Sequence, residues 1–477
     1  MTLLIASVHG AIPEEIDGAD FLEIRVDGIG TEECIEQLPS LLKASPLPTV
    51  LTCRSVEEGG MFEGEEEERF EIYQAALQSD SPPKYIDIEH ETLTRHPLLL
   101  DSVKTETTGI ILSWHDMKSR PPDLLQRASA MQDIPNVDIV KMVWRARSIR
   151  DNIEAFELLR ARQQPMIAMC MGEYGIMSRV LAPKFGGFAT YASIEGRKPT
   201  ASGQPTVQEL RSGYGFDSID SNTKVYGVIG DNVMHSASPA FHNAAFQAAN
   251  ENAVYLPMFI SNGWEHLKAS ICELQEYKSL HFSGASVTIP HKEEMMKLAT
   301  ACDEISKNVG ATNTITVQHN SIYANNTDVP ALRTLCKDAS RVLILGGGGV
   351  ARAAIVAVKT AGGEACIATR RCEQAITLAK EFSCEVANEN TENIDTVINC
   401  TPIGMKGGND PDGNPLLTLA PWLTLDSSIR VIDTVYKPAI TPLLAKAKTA
   451  DCPIVRGEEM FRLQANAQQH LWQQRRA

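Results

Sequence analysis

The first 200 or so residues alternate short apolar runs with longer amphipathic stretches. Eight of the apolar runs have the length and composition of β-strands, and they cover residues 3–8, 21–27, 49–54, 85–89, 110–115, 138–143, 166–171 and 189–194. The stretches between them, such as EECIEQLPSLLKA, place apolar residues at helical spacing. Eight such units predict an α/β fold of the (β/α)8 barrel type, with TVQELRSGYGF as its last helix.

A second α/β pattern follows the polar, aperiodic segment SIDSNTK, so we expect a domain boundary near Ser221. KVYGVIG predicts a strand, and alternating elements continue to about Leu335. RVLILGGGGVARAAIVAVKTAGG then has the pattern of strand, tight turn and helix, and EACIATRR, DTVINCTP and RVIDTVY predict further parallel strands. The tail GEEMFRLQANAQQHLWQQRRA predicts a helix. The expected domains are 1–220, 224–335 together with the helix 457–477, and 336–456.

Composition and charge narrow the class of protein. The 477 residues are 43% hydrophobic and 22% charged, which is typical of globular domains, and the formal net charge is −16. This charge argues against sequence-independent nucleic-acid binding but leaves room for small anionic substrates held by local arginines. No apolar stretch approaches the length of a membrane span, and MTLLIASVHGAIPEE lacks the basic start of a signal peptide. We therefore expect a cytoplasmic protein without membrane contact.

The 11 cysteines are scattered without a C-x-x-C pair. This spacing fits neither a disulfide framework nor a zinc site, so reduced and mostly buried thiols are expected.

Charged residues are unusually frequent at the predicted strand ends of the first domain. They are Glu23, Arg25, Asp27, Arg54, Glu58, Asp87, Glu89, His115, Lys141 and, after the seventh strand, Arg179. Any one of them could belong to an ion pair that fills the barrel mouth, and for Asp27, Asp87 and Glu89 this explanation is at least as good as a functional one. Together they predict an active site at the face where barrel enzymes carry theirs, since buried charge is costly.

These groups can support imine chemistry. Lys141 ends an apolar strand. Desolvation and the positive charges of Arg54 and Arg179 would lower the pKa of its amine and favour the neutral, nucleophilic form. It could attack a ketone to form an imine, and His115 could remove a proton from the neighbouring carbon and later protonate a leaving hydroxyl. Glu58 could hold the imidazole tautomer. The residues by themselves predict a Schiff-base lyase or an aldolase.

The first domain resembles the type I 3-dehydroquinate dehydratases. LEIRVD, TCRSVEEGG, SWHD, DIVKMV, MGEYGIMSR and TASGQPT carry the resemblance, in the family's order. It implies that Lys141 forms the imine, that His115 is base and acid, and that Glu58 is its partner. It also implies a substrate-binding set of Glu23, Arg25, Arg54, Arg179, Thr200 and Gln204.

A second group of polar residues follows the boundary. GVIGDNVMHSASPAFHN places Ser236 and Ser238 in a turn before a helix, where hydroxyls could simply be caps. Lys292, Asn313 and Asp328 each end a strand-like run. Lys292 could be a solvated surface lysine and Asp328 a helix cap, but together they form a plausible proton-transfer pair beside a hydroxyl and an amide.

A dinucleotide motif lies further along the chain. Gly346, Gly348 and Ala351 fit G-x-G-x-x-A between a strand and a helix, where backbone amides can meet a pyrophosphate. The next strand ends in Thr369, Arg370 and Arg371, where an acidic residue would be expected for NAD. Arginine at this place can pair with a 2′-phosphate, so the sequence predicts NADP(H).

The second half resembles shikimate dehydrogenase through HSASPAFHN, SVTIPHK, GATNTI, NTD, GGGGVARA, NCTPIGM, DTVYKP and GEEMFRLQA. The resemblance implies a substrate domain at 224–335, an NADP-binding Rossmann domain at 336–456, and Lys292 and Asp328 as the catalytic pair. The substrate residues it implies are Ser236, Ser238, Thr288, Asn313, Tyr436 and Gln464. The cofactor residues it implies are Gly346, Gly347, Gly348, Gly349, Val350, Ala351, Thr369, Arg370, Arg371, Asn399, Thr401, Met405 and Gly457.

These resemblances predict a bifunctional shikimate-pathway enzyme that forms 3-dehydroshikimate in the barrel and reduces it to shikimate with NADPH, without a metal. Its expected partners are small molecules, with no nucleic acid. Three alternatives remain at this point. They are a catabolic quinate or shikimate dehydrogenase using NAD, a non-catalytic regulator built from both folds, and a class I aldolase joined to an unrelated oxidoreductase.

Overall fold

The computed structural model describes residues 1–474 and divides into two compact units. The first comprises Met1–Val228, Asn232–Ser261 and Ala269–Phe282. The second comprises Ile229–Asp231, Asn262–Lys268 and the chain from Ser283 onward. The last residues of the predicted C-terminal helix, 475–477, lie outside the described residues. The domain limits expected from the sequence stay predictions.

Eight parallel strands form the barrel sheet of the first unit. They are β1 (Leu3–His9), β2 (Phe21–Arg25), β3 (Thr49–Thr52), β4 (Tyr85–Glu89), β5 (Gly109–Asp116), β6 (Ile139–Arg145), β7 (Met166–Met171) and β8 (Ala189–Ser193). Their order, β7-β6-β5-β4-β3-β2-β1-β8, confirms the predicted barrel. No ladder joins β7 to β8 among the described residues, although the amide of Phe188 donates to the carbonyl of Met166 over 2.8 Å.

The helices of the barrel unit lie between these strands. They are α1 (Thr31–Ala44), α2 (Glu66–Leu77), α3 (His90–Arg95), α4 (Leu99–Val103), α5 (Leu124–Gln132), α6 (Asp151–Ala161) and α7 (Ile176–Val180). The predicted last helix is reduced: the segment carries a five-residue π-helical stretch, Glu209–Gly213, and a separate turn at Phe216–Ser218. Gly213 ends the first piece, and the left-handed Gly215 lies between the two pieces, so a continuous helix is disfavoured.

A mixed region follows the barrel. Its elements are β9 (Lys224–Gly230), α8 (Ser238–Ala248), β10 (Ala253–Phe259), α9 (Trp264–Glu276), β11 (Phe282–Val287), β12 (Ala301–Cys302), α10 (Glu304–Val309), β13 (Thr314–Gln318), β14 (Ser321–Asn325) and α11 (Asp328–Leu335). In the second unit β11 and β13 pair antiparallel, β13 and β14 pair antiparallel, and β14 and β12 pair parallel. The antiparallel pairs allow short connections, such as the turn between Gln318 and Ser321.

The rest of the second unit is a doubly wound parallel sheet, as predicted. Its elements are β15 (Arg341–Leu345), α12 (Gly349–Thr360), β16 (Glu364–Ala368), α13 (Cys372–Phe382), β17 (Glu385–Val386), β18 (Thr396–Asn399), α14 (Pro415–Leu419), β19 (Arg430–Asp433), α15 (Pro442–Thr449), β20 (Ile454–Val455) and α16 (Gly457–Gln474). The strand order is β17-β16-β15-β18-β19-β20. Apolar clusters cover both faces of this sheet, which explains the uninterrupted apolar strands.

No helix in the described part of the chain combines the length and apolar character that a membrane crossing requires.

Candidate active sites

One cavity at the carboxyl ends of the barrel strands collects all nine residues that the sequence assigned to the first site. They are Glu23, Arg25, Arg54, Glu58, His115, Lys141, Arg179, Thr200 and Gln204. Parallel strands bring their carboxyl ends to one face, so side chains that are more than a hundred residues apart in sequence share this cavity.

Lys141 is the third residue of β6, which runs on to Arg145, so the expectation that it ends its strand is wrong. Its ammonium is buried and lies 2.9 Å from Oδ2 of Asp87 and 3.6 Å from Oε1 of Glu23. The ring of Tyr191 packs under it, 4.1 Å from Nζ to the ring centroid. The groups within ion-pair distance of Lys141 are therefore carboxylates, and Arg54 and Arg179 line the same cavity.

Arg54 organises the acidic side chains beneath the cavity. Its guanidinium lies 2.8 Å from Asp87, 3.2 Å from Glu58 and 3.4 Å from Glu89, and it donates to Ser113 over 2.7 Å. Burial alone would raise the pKa of Asp87, but Arg54 and Lys141 hold it at about 2. Asp87 and Glu89 are thus ion-pair partners, which is the structural explanation that the sequence had left open.

His115 and the buried Glu58 form a pair at the edge of the same cavity, where the side chain of His115 is 11% exposed. Nδ1 of His115 lies 2.9 Å from Oε2 of Glu58. Burial, with Arg54 and Lys141 nearby, lowers the pKa of His115 well below its usual range. Burial raises the pKa of Glu58 to about 8 against the opposing effect of Arg54. Nε2 of His115 makes no hydrogen bond with the described residues, so the ring can offer it to a ligand.

The two outer arginines of the cavity differ in what they contact. Arg25 pairs with Asp27 through two contacts, of 2.7 and 2.9 Å. Arg179 contacts Met169 Sδ at 3.3 Å and the carbonyl of Tyr191 at 3.4 Å, and no carboxylate of the described residues lies within ion-pair distance. Burial lowers the pKa of Arg179 to about 10, so it keeps its charge at neutral pH. A buried guanidinium without a counter-ion fits an anionic ligand.

The loop after β8 supplies the remaining polar groups. Thr200 donates its hydroxyl to Oε1 of Gln204 over 3.1 Å, and Gln204 is buried. The sequence interpretation missed Tyr191 and Ser113, which line the cavity or hold Arg54. Both lie inside barrel strands, and the alternation of inward positions along β5 and β8 was the signal that could have identified them.

The second site is built around Lys292, Asp328 and Asn313. Nζ of Lys292 lies 2.6 Å from Oδ2 of Asp328, and the amide of Asn313 donates to Oδ1 over 2.9 Å. Asn313 also donates to Thr327 at 2.9 Å and reaches Oε1 of Gln464 at 3.4 Å. All three central residues are buried, so the ion pair lies in a protected environment.

The elements that carry these residues differ from the expected strand ends. Lys292 follows the end of β11 by five residues, Asn313 precedes β13, and Asp328 begins α11. Asn326 accepts from the amides of Asp328 and Val329 at 3.0 and 3.3 Å, so the turn is capped by a neighbour and the carboxylate of Asp328 stays available to Lys292.

The other predicted substrate residues lie on several different elements. In the first unit, Ser238 is the first residue of α8, and its amide donates to the hydroxyl of Ser236 over 3.2 Å. In the second unit, the amide of Thr288 donates to the carbonyl of Ile229 over 2.9 Å. The ring of Tyr436 packs on Phe461 with centroids 5.2 Å apart.

The glycine-rich loop between β15 and α12 has room for a dinucleotide. Gly346 has φ +118°, and a Cβ there would meet Thr401 Cγ2 at 3.0 Å. A Cβ on Gly347 would meet the amide of Gln374 at 2.7 Å, whereas one on Gly348 would meet nothing within 4 Å. Gly348 precedes the first turn of α12, so the open space lies where helical amides can receive a phosphate. The loop fits NADP(H).

The remaining predicted cofactor residues surround this loop at the carboxyl edge of the sheet. Gly349 and Val350 begin α12, and Ala351 is fully buried beneath it. Thr369, Arg370 and Arg371 follow β16, and the hydroxyl of Thr369 donates to the carbonyl of Arg371 over 2.6 Å. The other four predicted cofactor residues lie on later elements. Asn399 ends β18, Thr401 and Met405 follow just beyond it, and Gly457 begins α16.

Arg370 and Arg371 are both exposed, and neither forms an ion pair with the described residues. The backbone of Gly457 lies close to the backbone of Val435, since a Cβ on Gly457 would lie 2.3 Å from the carbonyl oxygen of Val435. Two exposed guanidinium groups after β16 fit a 2′-phosphate.

Family models match both halves of the chain. The model for type I 3-dehydroquinase matches residues 9–221, and the model for the shikimate dehydrogenase substrate binding domain matches residues 228–315. A chloroplastic bifunctional 3-dehydroquinate dehydratase/shikimate dehydrogenase of Arabidopsis thaliana is 33% identical over 94% of this chain and 77% of its own length. The shikimate biosynthesis protein AroDE of Chlamydia pneumoniae is 28% identical over 82% of this chain and 78% of its own.

A relative named shikimate dehydrogenase (NADP(+)), from Syntrophobacter fumaroxidans, is 34% identical over 52% of this chain and 87% of its own length. The two folds and their sites define the class: a lyase barrel followed by a dinucleotide-dependent oxidoreductase. The chain belongs to the family of bifunctional 3-dehydroquinate dehydratase/shikimate dehydrogenases.

Proposed function

We propose that Lys141 and His115 carry out the dehydration of 3-dehydroquinate to 3-dehydroshikimate, and that Lys292 and Asp328 carry out its reduction to shikimate with NADPH. The product of the first reaction is the substrate of the second. Both reactions act on a ketone, but the first lysine bonds to its carbon and the second gives a proton to its oxygen.

In the barrel, Nζ of Lys141 attacks the substrate ketone and water leaves as the imine forms. The protonated imine withdraws electrons from the neighbouring carbon, and Nε2 of His115 removes a proton there. The same proton equivalent is returned to the hydroxyl that leaves as water from the next carbon. Hydrolysis of the imine restores Lys141 and releases the product.

Charge in the cavity supports this sequence of steps. Asp87 and Glu23 lie 2.9 and 3.6 Å from Nζ of Lys141, where their carboxylates stabilise the positive charge of the protonated imine. Arg179 is assigned to the substrate carboxylate, since it is buried without a carboxylate partner among the described residues. The observation that carries the dehydratase proposal is the convergence of Lys141, His115 and this arginine on one cavity.

In the dehydrogenase site, bound NADPH supplies the hydride. Lys292 gives a proton to the substrate oxygen, and Asp328, 2.6 Å away, orients the ammonium. Asn313 holds the second oxygen of Asp328, which fixes the carboxylate plane. The 2.6 Å pair of Lys292 and Asp328 carries this half of the proposal.

The biosynthetic direction with NADPH is favoured over a catabolic, NAD-dependent enzyme. Arg370 and Arg371 are exposed directly after β16, where an acidic residue would bind the ribose of NAD. Relatives of the second half are named as NADP(+) enzymes. The presence of Lys141, His115, Lys292 and Asp328 argues against a non-catalytic regulator, and the match to type I 3-dehydroquinase argues against an aldolase.

One cuvette tests the whole proposal. Enzyme, 3-dehydroquinate and NADPH should give shikimate with stoichiometric oxidation of NADPH. Lys292→Ala should stop NADPH oxidation and leave 3-dehydroshikimate to accumulate, whereas Lys297→Ala, an exposed lysine nearby, should change neither step. Failure of the unsubstituted protein to consume 3-dehydroquinate would refute the dehydratase assignment, and failure to oxidise NADPH with 3-dehydroshikimate would refute the dehydrogenase assignment.

Borohydride added with 3-dehydroquinate should reduce an adduct onto Lys141, and peptide mass spectrometry locates it. Lys118 is exposed just beyond β5 and serves as the internal control for non-specific modification. An adduct elsewhere would contradict the imine assignment.

A cytoplasmic location stays a prediction, and the Arabidopsis thaliana relative is named as chloroplastic.

A further inference from the structure

Asp433 is a buried carboxylate to which neither reaction assigns a role. It ends β19 and is fully buried. Oδ1 accepts from the side-chain amide of Asn399 and from the amide of Val435, each over 2.9 Å, and Oδ2 accepts from the hydroxyl of Thr441 over 2.6 Å. No lysine or arginine of the described residues forms an ion pair with it. Burial raises the pKa of Asp433 to about 6.

These hydrogen bonds connect Asp433 to the glycine-rich loop. Oδ1 of Asn399 accepts from the amide and the hydroxyl of Thr401, over 2.9 and 2.7 Å. The methyl group of Thr401 lies against Gly346, 3.0 Å from the position a Cβ would take. Because β15, β18 and β19 are neighbours, the chain of contacts from Asp433 to Gly346 follows the carboxyl edge of the sheet.

The second branch leads from Asp433 into the connection after β19. Val435 and Thr441 bracket the segment that carries Tyr436, and Thr441 also accepts from the amide of Leu444 as the N-cap of α15. One carboxylate therefore fixes both the amide of Asn399 and the two ends of this segment.

We propose that Asp433 is a positioning residue for the nicotinamide end of the dinucleotide site, acting through Asn399 and Thr401. The inference rests on the proposed dehydrogenase function. Asp433 touches neither reactant in this assignment. Its carboxylate orients the amide of Asn399 so that its oxygen faces Thr401, which in turn supports the loop at Gly346.

The chemistry of the three donors explains why a carboxylate stands here. An ionised carboxylate only accepts, and it can satisfy two N–H groups and one hydroxyl at once. An asparagine would turn its NH2 group toward Thr441, whose hydroxyl can also accept, and would keep one oxygen for Asn399 and Val435. Neutral hydrogen bonds are roughly half as strong as charge-assisted ones, so this replacement should loosen Asn399 without releasing it.

Asp395, at the other edge of the same parallel sheet, offers a matched control. Asp395 precedes β18 and, like Asp433, accepts from two N–H groups and one threonine hydroxyl. Its donors are the backbone amides of Ser340 and Arg341 and the hydroxyl of Thr396, over 2.7, 3.0 and 2.8 Å. It lies at the amino edge of the sheet, away from the glycine-rich loop. Asp395→Ala therefore removes a similar set of bonds without touching Asn399.

The test is NADPH binding to the full-length protein, measured by fluorescence titration without substrate, together with the melting temperature and the KM and kcat of both reactions. Asp433→Ala should raise the Kd and KM for NADPH by about 10- to 100-fold, the scale that loss of a supporting hydrogen bond reaches in comparable sites. Asp433→Asn should give an intermediate rise of about threefold, because it keeps the shape and one acceptor. Dehydratase activity should stay unchanged in both.

Asp395→Ala should lower the melting temperature and leave the Kd for NADPH within about twofold of the starting value. Equal changes in Kd for Asp433→Ala and Asp395→Ala would reduce Asp433 to a residue that only stabilises the fold. If Asp433→Ala does not fold, Asp433→Asn decides: an unchanged Kd would overturn the inference. Absence of NADPH binding by the unsubstituted protein would overturn the proposed dehydrogenase function itself, and with it the inference.

Discussion

A Cβ on Gly349 would lie 3.0 Å from Cδ and 3.1 Å from Cβ of Lys292. The side chain of Lys292, the proposed proton donor, therefore packs against Gly349, the first residue of α12. The loop assigned to the dinucleotide and the lysine assigned to the substrate are in direct contact within the second unit, so the identity of one residue constrains the position of the other.

Gly349→Ala should therefore displace the side chain of Lys292 slightly. A shift of about 1 Å at a reacting group can cost about 100-fold in rate, so for this smaller displacement we expect a fall in dehydrogenase kcat of roughly 3- to 10-fold. Gly348→Ala is the matched variant, because its Cβ would enter open space at the proposed cofactor cradle and contact no protein atom. It should raise the KM for NADPH more than it lowers kcat. Steady-state kinetics of both variants separate the two effects.

The same profile for the two glycine variants would contradict this division of roles. Dehydratase activity, measured in the same samples, reports whether either protein is misfolded, since the barrel site contains no residue of the loop.

The His115–Glu58 pair predicts the pH dependence of dehydration. When Glu58 is ionised it accepts from Nδ1–H, which leaves Nε2 of His115 free to act as a base. When Glu58 is protonated it donates to Nδ1, and Nε2 carries the proton instead. Burial raises the pKa of Glu58 to about 8. We therefore expect dehydration to increase with pH through about 8, as measured by absorbance of the conjugated product.

The rise of the dehydration rate with pH is assigned to the ionisation of Glu58. Burial lowers the pKa of His115 well below its usual range, so its ring stays neutral over the pH range of this rise. Glu58→Gln should remove the pH-dependent rise and lower kcat by about 10²- to 10⁴-fold, because His115 then lacks the carboxylate that holds it in the tautomer of a general base. Glu57→Gln, at the exposed neighbouring position, should leave both the rise and kcat intact. A rise that persists in Glu58→Gln would assign it to another group.

We expect Arg370 to determine the preference of the enzyme for NADPH over NADH. If its guanidinium pairs with the 2′-phosphate, Arg370→Ala should raise the KM for NADPH by about 10- to 100-fold and change the KM for NADH little, since NADH lacks this phosphate. Lys380→Ala removes an exposed charge near the other end of α13 and controls for the general field. Equal losses for both dinucleotides in Arg370→Ala would remove the phosphate-pairing argument.

Local patterns in the sequence were sufficient for the elements and the class. The eight barrel strands and the parallel strands of the second unit follow from apolar runs bounded by turn residues, and the structure confirms them within a few residues. The last barrel helix is shorter than predicted, because the local signal there was weak. TVQELRSGYGF has one helical turn of good pattern, but its glycines permit conformations that a helix does not use.

The position of Lys141 within its strand could not be predicted from such local patterns. A charge in an apolar run suggests a strand end because buried charge is costly, yet β6 continues to Arg145. The barrel offsets this cost by bringing Asp87 from β4 and Glu23 from β2 to the same ammonium. No spacing in the sequence encodes these contacts, since they depend on which strands are neighbours.

The sequence by itself thus determined which residue types were available and on which kind of element each would lie, because propensity and periodicity act over a few residues. Only the tertiary structure decided the partners: Asp87 with Lys141, Gly349 with Lys292, and Asp433 with Asn399. Electrostatic and steric interactions depend on distances of a few ångströms, and packing sets those distances between segments that are far apart along the chain.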